Sequence, residues 1–140
     1  MIRKFEETDL NCIMRIWIET NISAHDFIDD KYWHSNYDQV RQMIPQSTIY
    51  VYEEDSIRGF IGLSGNYLAG LFVEAESQSK GIGRALLDHV KGLSKELILH
   101  VYKKNERAVR FYTREGFLIE GEQIDPNTNE TELIMKWTYT

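Results

Sequence analysis

The 140 residues predict one domain built on a mixed α/β sheet, an α+β arrangement rather than a repeating βαβ ladder. The main observation is that apolar residues switch between strand and helix periodicity in the order β, α, α, β, β, β, α, β, α, β, β. A second is that 42% apolar and 27% charged residues suit a globular chain with a single core. No repeat, linker or low-complexity tract divides residues 1–140.

Each element has its own local signal. Ile2 to Phe5 suits a short strand, and Thr8 or Asp9 can cap a helix in which Leu10, Ile13, Met14 and Trp17 keep helical spacing to about Thr20. The pattern breaks from Asn21 to Asp30 and resumes as a helix from Lys31 to Ile44, stopped by Pro45. Thr48–Tyr52 and Ile57–Leu63 flank a polar turn as a hairpin, and Tyr67–Val73 is a further strand. Ile82, Leu86, Val90 and Leu93 fall on one helical face. Glu96–Val101 is a strand, Asn105–Glu115 a helix ended by Gly116, and Phe117–Ile124 and Thr131–Trp137 a hairpin around DPNTN.

Composition narrows the function. No apolar run approaches the roughly 20 residues that cross a bilayer, and the start MIRKFEETDL lacks the apolar stretch of a secretory signal, so a cytoplasmic protein without membrane partners is expected. Cys12 is the only cysteine and lies near an apolar helical stripe, where a thiol behaves as a small hydrophobe. The four histidines have no metal-ligand spacing, so no metal is expected. A net charge of −6 disfavours nucleic acid and mildly favours a cationic acceptor. Ser64 in GLSGN lacks the final glycine of a hydrolase nucleophile turn.

Two motifs carry chemistry. QSKGIGR, Gln78 to Arg84, places glycines where a strand has ended and a helix begins. A helix start offers unpaired N–H groups and the positive end of its dipole, and residues without a β-carbon let oxyanions approach the backbone, so the turn suits a diphosphate. Neither the Walker pattern nor a dinucleotide GxGxxG fits. About one strand later, NERAVRFYTREGF carries Asn105, Ala108, Phe111, Tyr112, Gly116 and Phe117.

Together, LFV followed by QxxGxG and then NxxAxxFYxxxGF resembles the GCN5-related N-acetyltransferase (GNAT) family, most closely from Leu68 to Phe117. The resemblance implies a mostly antiparallel sheet of six or seven strands flanked by about four helices, with the central strands splayed. It implies acetyl-coenzyme A as donor and a primary amine as acceptor, on a small molecule or a protein, attacking directly within a ternary complex. Leu71, Phe72 and Val73 would bind the pantetheine arm, as an extended ligand binds a strand edge. Gln78, Ser79, Lys80, Gly81, Ile82, Gly83 and Arg84 would wrap the diphosphate, while Asn105, Ala108, Phe111 and Tyr112 would line the arm.

Tyr112 matches the family's general acid, a phenol that can protonate the departing thiolate. By spacing alone an aromatic pair such as Phe111 and Tyr112 on a helix is more often core than catalytic. An amide near Phe72 or Val73 would meet the developing oxyanion. The ammonium must lose a proton before it attacks, and His100, His25 and Asp26 are the candidate bases. His25, Phe27, Tyr32, Trp33 and Tyr67 would shape the acceptor site, with aromatic faces and the aspartates of SAHDFIDDKYW holding a cation. Alternatively those rings anchor the second helix and the aspartates cap it. A monomer or homodimer is expected, and a non-catalytic acyl-CoA sensor is the competing reading.

Overall fold

A computed structural model describes residues 1–140. The elements are β1 (Ile2–Lys4), α1 (Leu10–Ala24), α2 (Asp30–Met43), β2 (Thr48–Glu54), β3 (Ser56–Ser64), β4 (Tyr67–Val73), α3 (Ile82–Lys91), β5 (Glu96–Tyr102), α4 (Glu106–Arg114), β6 (Leu118–Ile124) and β7 (Thr131–Thr138). They form one seven-stranded sheet in the order β1-β2-β3-β4-β5-β7-β6. Every neighbouring pair is antiparallel except β4 and β5.

Alternation along the strands sends side chains to two separate cores. On one face, Leu97, Leu99 and Val101 of β5 pack with Leu86, Leu87 and Val90 of α3 and with Phe117 and Met135. On the other, Val51 and Phe60 pack with Ile13, Met14, Ile16 and Trp17 of α1 and with Trp33 of α2. Asp9 closes the first turn leading into α1. Its carboxylate takes two hydrogen bonds from Arg3, at 2.9 and 3.0 Å, and one from the Glu6 amide at 2.8 Å.

Two boundaries differ from those the sequence suggests. α1 runs on to Ala24 because Thr20 Oγ1 donates to the Ile16 carbonyl at 2.6 Å and the buried Asn21 amide donates to the Trp17 carbonyl at 2.9 Å. Polar residues that disfavour a helix are thereby satisfied within it. Leu93, expected on the apolar face of α3, lies beyond the helix end at Lys91 and is exposed.

α4 ends as expected at Gly116, whose φ of 94° is left-handed. The Phe117 amide reaches back to the Tyr112 carbonyl at 2.9 Å, closing the helix and turning Phe117 into the core. A β-carbon at Gly116 would meet Trp137 Cδ1 at 3.4 Å and carry the left-handed penalty. Gly116→Ala is therefore expected to lower the unfolding free energy by about 1–2 kcal/mol. A urea midpoint unchanged from the parent would contradict this.

Candidate active site

The site begins where two parallel strands part. β4 and β5 share a single registered pair, Tyr67 with Ile98, and the Ile98 amide bonds the Asn66 carbonyl at 3.0 Å. Beyond that point the edge of β4 is open. A register shift between Gly62 and Leu63 of β3 leaves Ala69 as an extra residue on β4, a bulge that turns the strand just past the pair. The Glu74 amide donates to Arg58 of β3 at 2.9 Å, so by strand alternation Phe72 also turns its amide toward β3. Leu71 and Val73 face the gap instead, and Phe72 is not the edge donor that the motif suggested. The Phe72 side chain likewise points away, against Phe60 at 5.0 Å between centroids.

The turn after β4 is held before it reaches α3. Glu74 accepts from Arg58 at 2.9 Å, from Ser77 at 2.9 Å and from Arg15 at 3.4 Å. Gln78 donates to the Val73 carbonyl at 2.9 Å and accepts from Arg107 of α4 at 2.8 Å, so its side chain organises the turn rather than a ligand. Ser79 and Gly81 are both left-handed, with φ of 66° and 83°. None of the amides from Ser79 to Arg84 finds an acceptor within the protein. This run of N–H groups at a helix start fits a diphosphate. Lys80 and Arg84 are exposed beside it, and Ile82 is buried, so only its amide is available.

Gly83 also borders the cleft beside the turn. A β-carbon there would touch Phe111 Cζ at 3.7 Å, Val73 Cγ2 at 3.8 Å and Leu71 Cδ2 at 3.9 Å. It therefore keeps the cleft between β4 and α4 clear. Ala108 and Phe111 pack against the same core cluster as Leu71 and Val73.

Tyr112 lies buried on α4, its ring 5.2 Å from Phe111 and 5.4 Å from Phe117. Its hydroxyl makes no hydrogen bond, yet it is not among the sealed polar atoms of the chain and so reaches accessible space. Burial pushes the phenol above its ordinary pKa, which keeps it in the proton-bearing form. Asn105 is used internally. Its Oδ1 caps α4 at the Ala108 amide, 3.3 Å, and its Nδ2 donates to His25 Nε2 at 3.2 Å.

That contact occupies the unprotonated nitrogen of His25. Its Nδ1 faces the Asn21 carbonyl at 2.9 Å and must carry the proton, leaving Nε2 to accept from Asn105. Burial lowers its pKa, opposed by the bond to Asn21. The expected aromatic cation cage is also filled by its own members. His25 stacks on Trp33 at 5.1 Å, Phe27 packs edgewise on His25 and Tyr102, and Lys104 already sits over Phe27 at 5.7 Å. Asp29 caps α2 through the Lys31 amide at 2.9 Å, while Asp26 is exposed and makes no hydrogen bond.

His100 and Tyr67 do come together, with ring centroids 5.3 Å apart, on the sheet face opposite α3 and α4. Tyr32 of α2 borders the same face. Three residues of the site are not evident in the sequence. Arg107 grips the phosphate turn at Gln78 and Ser79, Tyr102 donates to the buried Asp125 at 2.7 Å, and Glu132 of β7 lies 3.7 Å from His100. Tyr102 and Glu132 could have been suspected only from strand alternation with His100. No three His, Cys, Asp or Glu side chains converge as a metal site, and no helix is long and apolar enough to cross a membrane.

Comparison with known proteins agrees with this geometry. Residues 21–130 match the acetyltransferase (GNAT) domain family. The chain is 34% identical over 140 residues to the peptidyl-lysine N-acetyltransferase YiaC of Escherichia coli, covering 98% of this chain and 96% of YiaC. The solution structure of apo YjaB from Escherichia coli superposes with a TM-score of 0.87 at 28% identity, covering 100% of this chain and 98% of that one. The fold is also that of the PaiA N-acetyltransferase from Thermoplasma acidophilum, solved with coenzyme A, with a TM-score of 0.82 at 22% identity over 99% of this chain and 98% of that one. An open strand edge, a run of unpaired amides and a proton-bearing tyrosine thus sit on a chain that belongs to the GNAT family of N-acetyltransferases, which move an acetyl group from acetyl-coenzyme A to an amine.

Proposed function

We propose that the acceptor is a lysine side chain in a peptide or protein, and that Tyr112 is the general acid. The observation that carries this reading is the fork between β4 and β5, which leaves the edge of β4 open between Tyr112 on one face and His100 and Tyr67 on the other. An acceptor can reach the thioester from one face while the leaving group meets its proton on the other. Two relatives named as peptidyl-lysine N-acetyltransferases, YiaC and YjaB, support the peptide acceptor.

The residues divide the work. Amides of the Ser79–Arg84 turn hold the diphosphate, with Lys80, Arg84 and Arg107 adding positive charge nearby. The open edge at Leu71 and Val73 aligns the pantetheine arm. The amine nitrogen attacks the thioester carbon, and charge building on the carbonyl oxygen is met by a β4 amide facing the gap. As the carbon–sulfur bond breaks, Tyr112 gives its proton to sulfur. Its hydroxyl has no competing partner in the protein, so its hydrogen is free for that transfer.

Mass spectrometry of a lysyl peptide incubated with acetyl-coenzyme A and the protein is expected to show one acetyl group on the lysine Nζ. Transfer to free amines but to no lysyl peptide would overturn the peptide reading. Tyr112→Phe is expected to lower kcat by about 100-fold, with the KM for acetyl-coenzyme A little changed. Full turnover in that variant would remove Tyr112 from the chemistry. Gly83→Val fills the cleft between Leu71, Val73 and Phe111, so calorimetry is expected to show coenzyme A binding weakened at least tenfold while the fold persists. Unchanged affinity would place the arm elsewhere.

A further inference from the structure

Glu132 on the acceptor face has no lysine or arginine partner and accepts a single side-chain hydrogen bond. Among the acids of the β6–β7 hairpin, Glu122 pairs with Lys103, Glu130 pairs with Lys104, and Asp125 accepts from Tyr102, Thr128 and the Asn127 amide. Glu132 is different. Its side chain is 15% exposed, its Oε1 accepts from Gln123 at 2.6 Å, and no lysine or arginine nitrogen lies within 4 Å of it. A largely enclosed carboxylate without a cation is unfavourable by itself and attracts one.

The groups around Glu132 come from every element that borders this face. His100 of β5 stands 3.7 Å away, beyond hydrogen-bond distance, and Tyr102 is its direct partner across the β5–β7 ladder. Burial raises the Tyr67 phenol of β4 with the Glu132 charge adding to it, and raises Tyr32 of α2 with Asp125 and then, more weakly, Glu132 adding. Asp125, just past β6, is occupied by Tyr102. Three phenols and a histidine therefore surround the Glu132 carboxylate, with His100 at 3.7 Å the nearest group that can carry positive charge.

Its height along the sheet is informative. Tyr102 lies four residues beyond Ile98, where β4 and β5 last pair, and Leu71 lies four residues beyond Tyr67 on the other arm. At about 3.3 Å per residue Tyr102 is roughly 13 Å past the fork, and Leu71 somewhat less because Ala69 is the extra residue of the bulge. Glu132 thus stands level with the β4 edge that faces the gap.

We infer that Glu132 receives the protonated acceptor amine and takes its proton. One N–H bond of the ammonium breaks, the proton bonds to a Glu132 oxygen, and the freed lone pair forms the bond to the thioester carbon. When carbon and sulfur part, Tyr112 protonates the sulfur. The second proton shed by nitrogen restores the tyrosine, and the proton on Glu132 passes to solvent, so the net release is one proton per ammonium acetylated. The inference rests on acetyl transfer to an amine and holds whether or not that amine belongs to a peptide.

The test compares the enzyme with Glu132→Gln, which keeps the shape and the acceptor for Gln123 but carries no charge. At pH 7 the variant is expected to lose about 100-fold in kcat/KM for strongly basic acceptors, a lysyl peptide and a simple alkylamine. It is expected to lose less than tenfold for acetohydrazide, which is uncharged at that pH and needs no prior deprotonation. The deficit toward the alkylamine shrinks as pH rises toward 10 and free amine becomes available, while the KM for acetyl-coenzyme A stays the same. Glu132→Asp, charged but shorter, falls between the two. Equal losses for charged and uncharged acceptors, or turnover within twofold of the parent, would overturn the role of Glu132. If the parent enzyme acetylates the alkylamine but no lysyl peptide, the peptide reading fails and Glu132 is judged on the alkylamine.

Discussion

The whole site depends on two parallel strands that pair once and then separate. β4 and β5 meet at Tyr67 and Ile98 and have no further registered partner, although each is paired along its other side, β4 with one bulge at Ala69. A gap within a sheet exposes backbone donors and acceptors that water or a ligand must satisfy. The cost is tolerated because separate apolar layers brace the sheet from both faces, one under α3 and α4 and the other under α1 and α2. The binding edge is thus an interior edge, protected from other chains that would pair with an outer one.

The gap also gives the site two chemically different walls. On the α4 side the surroundings of Tyr112 are apolar, with Phe111 and Phe117 around the phenol, and a neutral proton donor is favoured. On the opposite wall Tyr67, His100, Tyr102 and Glu132 make a polar face suited to a cation.

Much of this organisation is legible in the sequence, and the remainder fails for identifiable reasons. Strand and helix order follows from periodicity and punctuation, and Tyr112 and the Gln78–Arg84 turn follow from motifs that lie within single segments. The end of α1 is obscured because Thr20 and Asn21 bond to Ile16 and Trp17 only once the helix exists. Leu93 keeps the period of α3 but falls past Gly92, where the helix stops. The direction of the Phe72 amide depends on register with β3, and His25 is decided by Asn105, 80 residues away. Glu132 reads locally as an ordinary acid on a strand. Only the sheet order, which sets β7 beside β5, brings it to His100.

The turn between β4 and α3 is anchored at both ends, by Arg15 and Arg58 on Glu74 and by Arg107 and the Val73 carbonyl on Gln78. Its conformational entropy is therefore surrendered when the chain folds and not when a ligand binds there. Such a rigid receptor gains affinity without induced fit, and encounter with an anionic ligand is governed by diffusion and the local cationic field, which added salt screens. Arg107 consequently ties the start of α4 to the turn before α3, and Arg84 of α3 pairs with Glu115 just past the end of α4, so α4 is linked to this region at both of its ends.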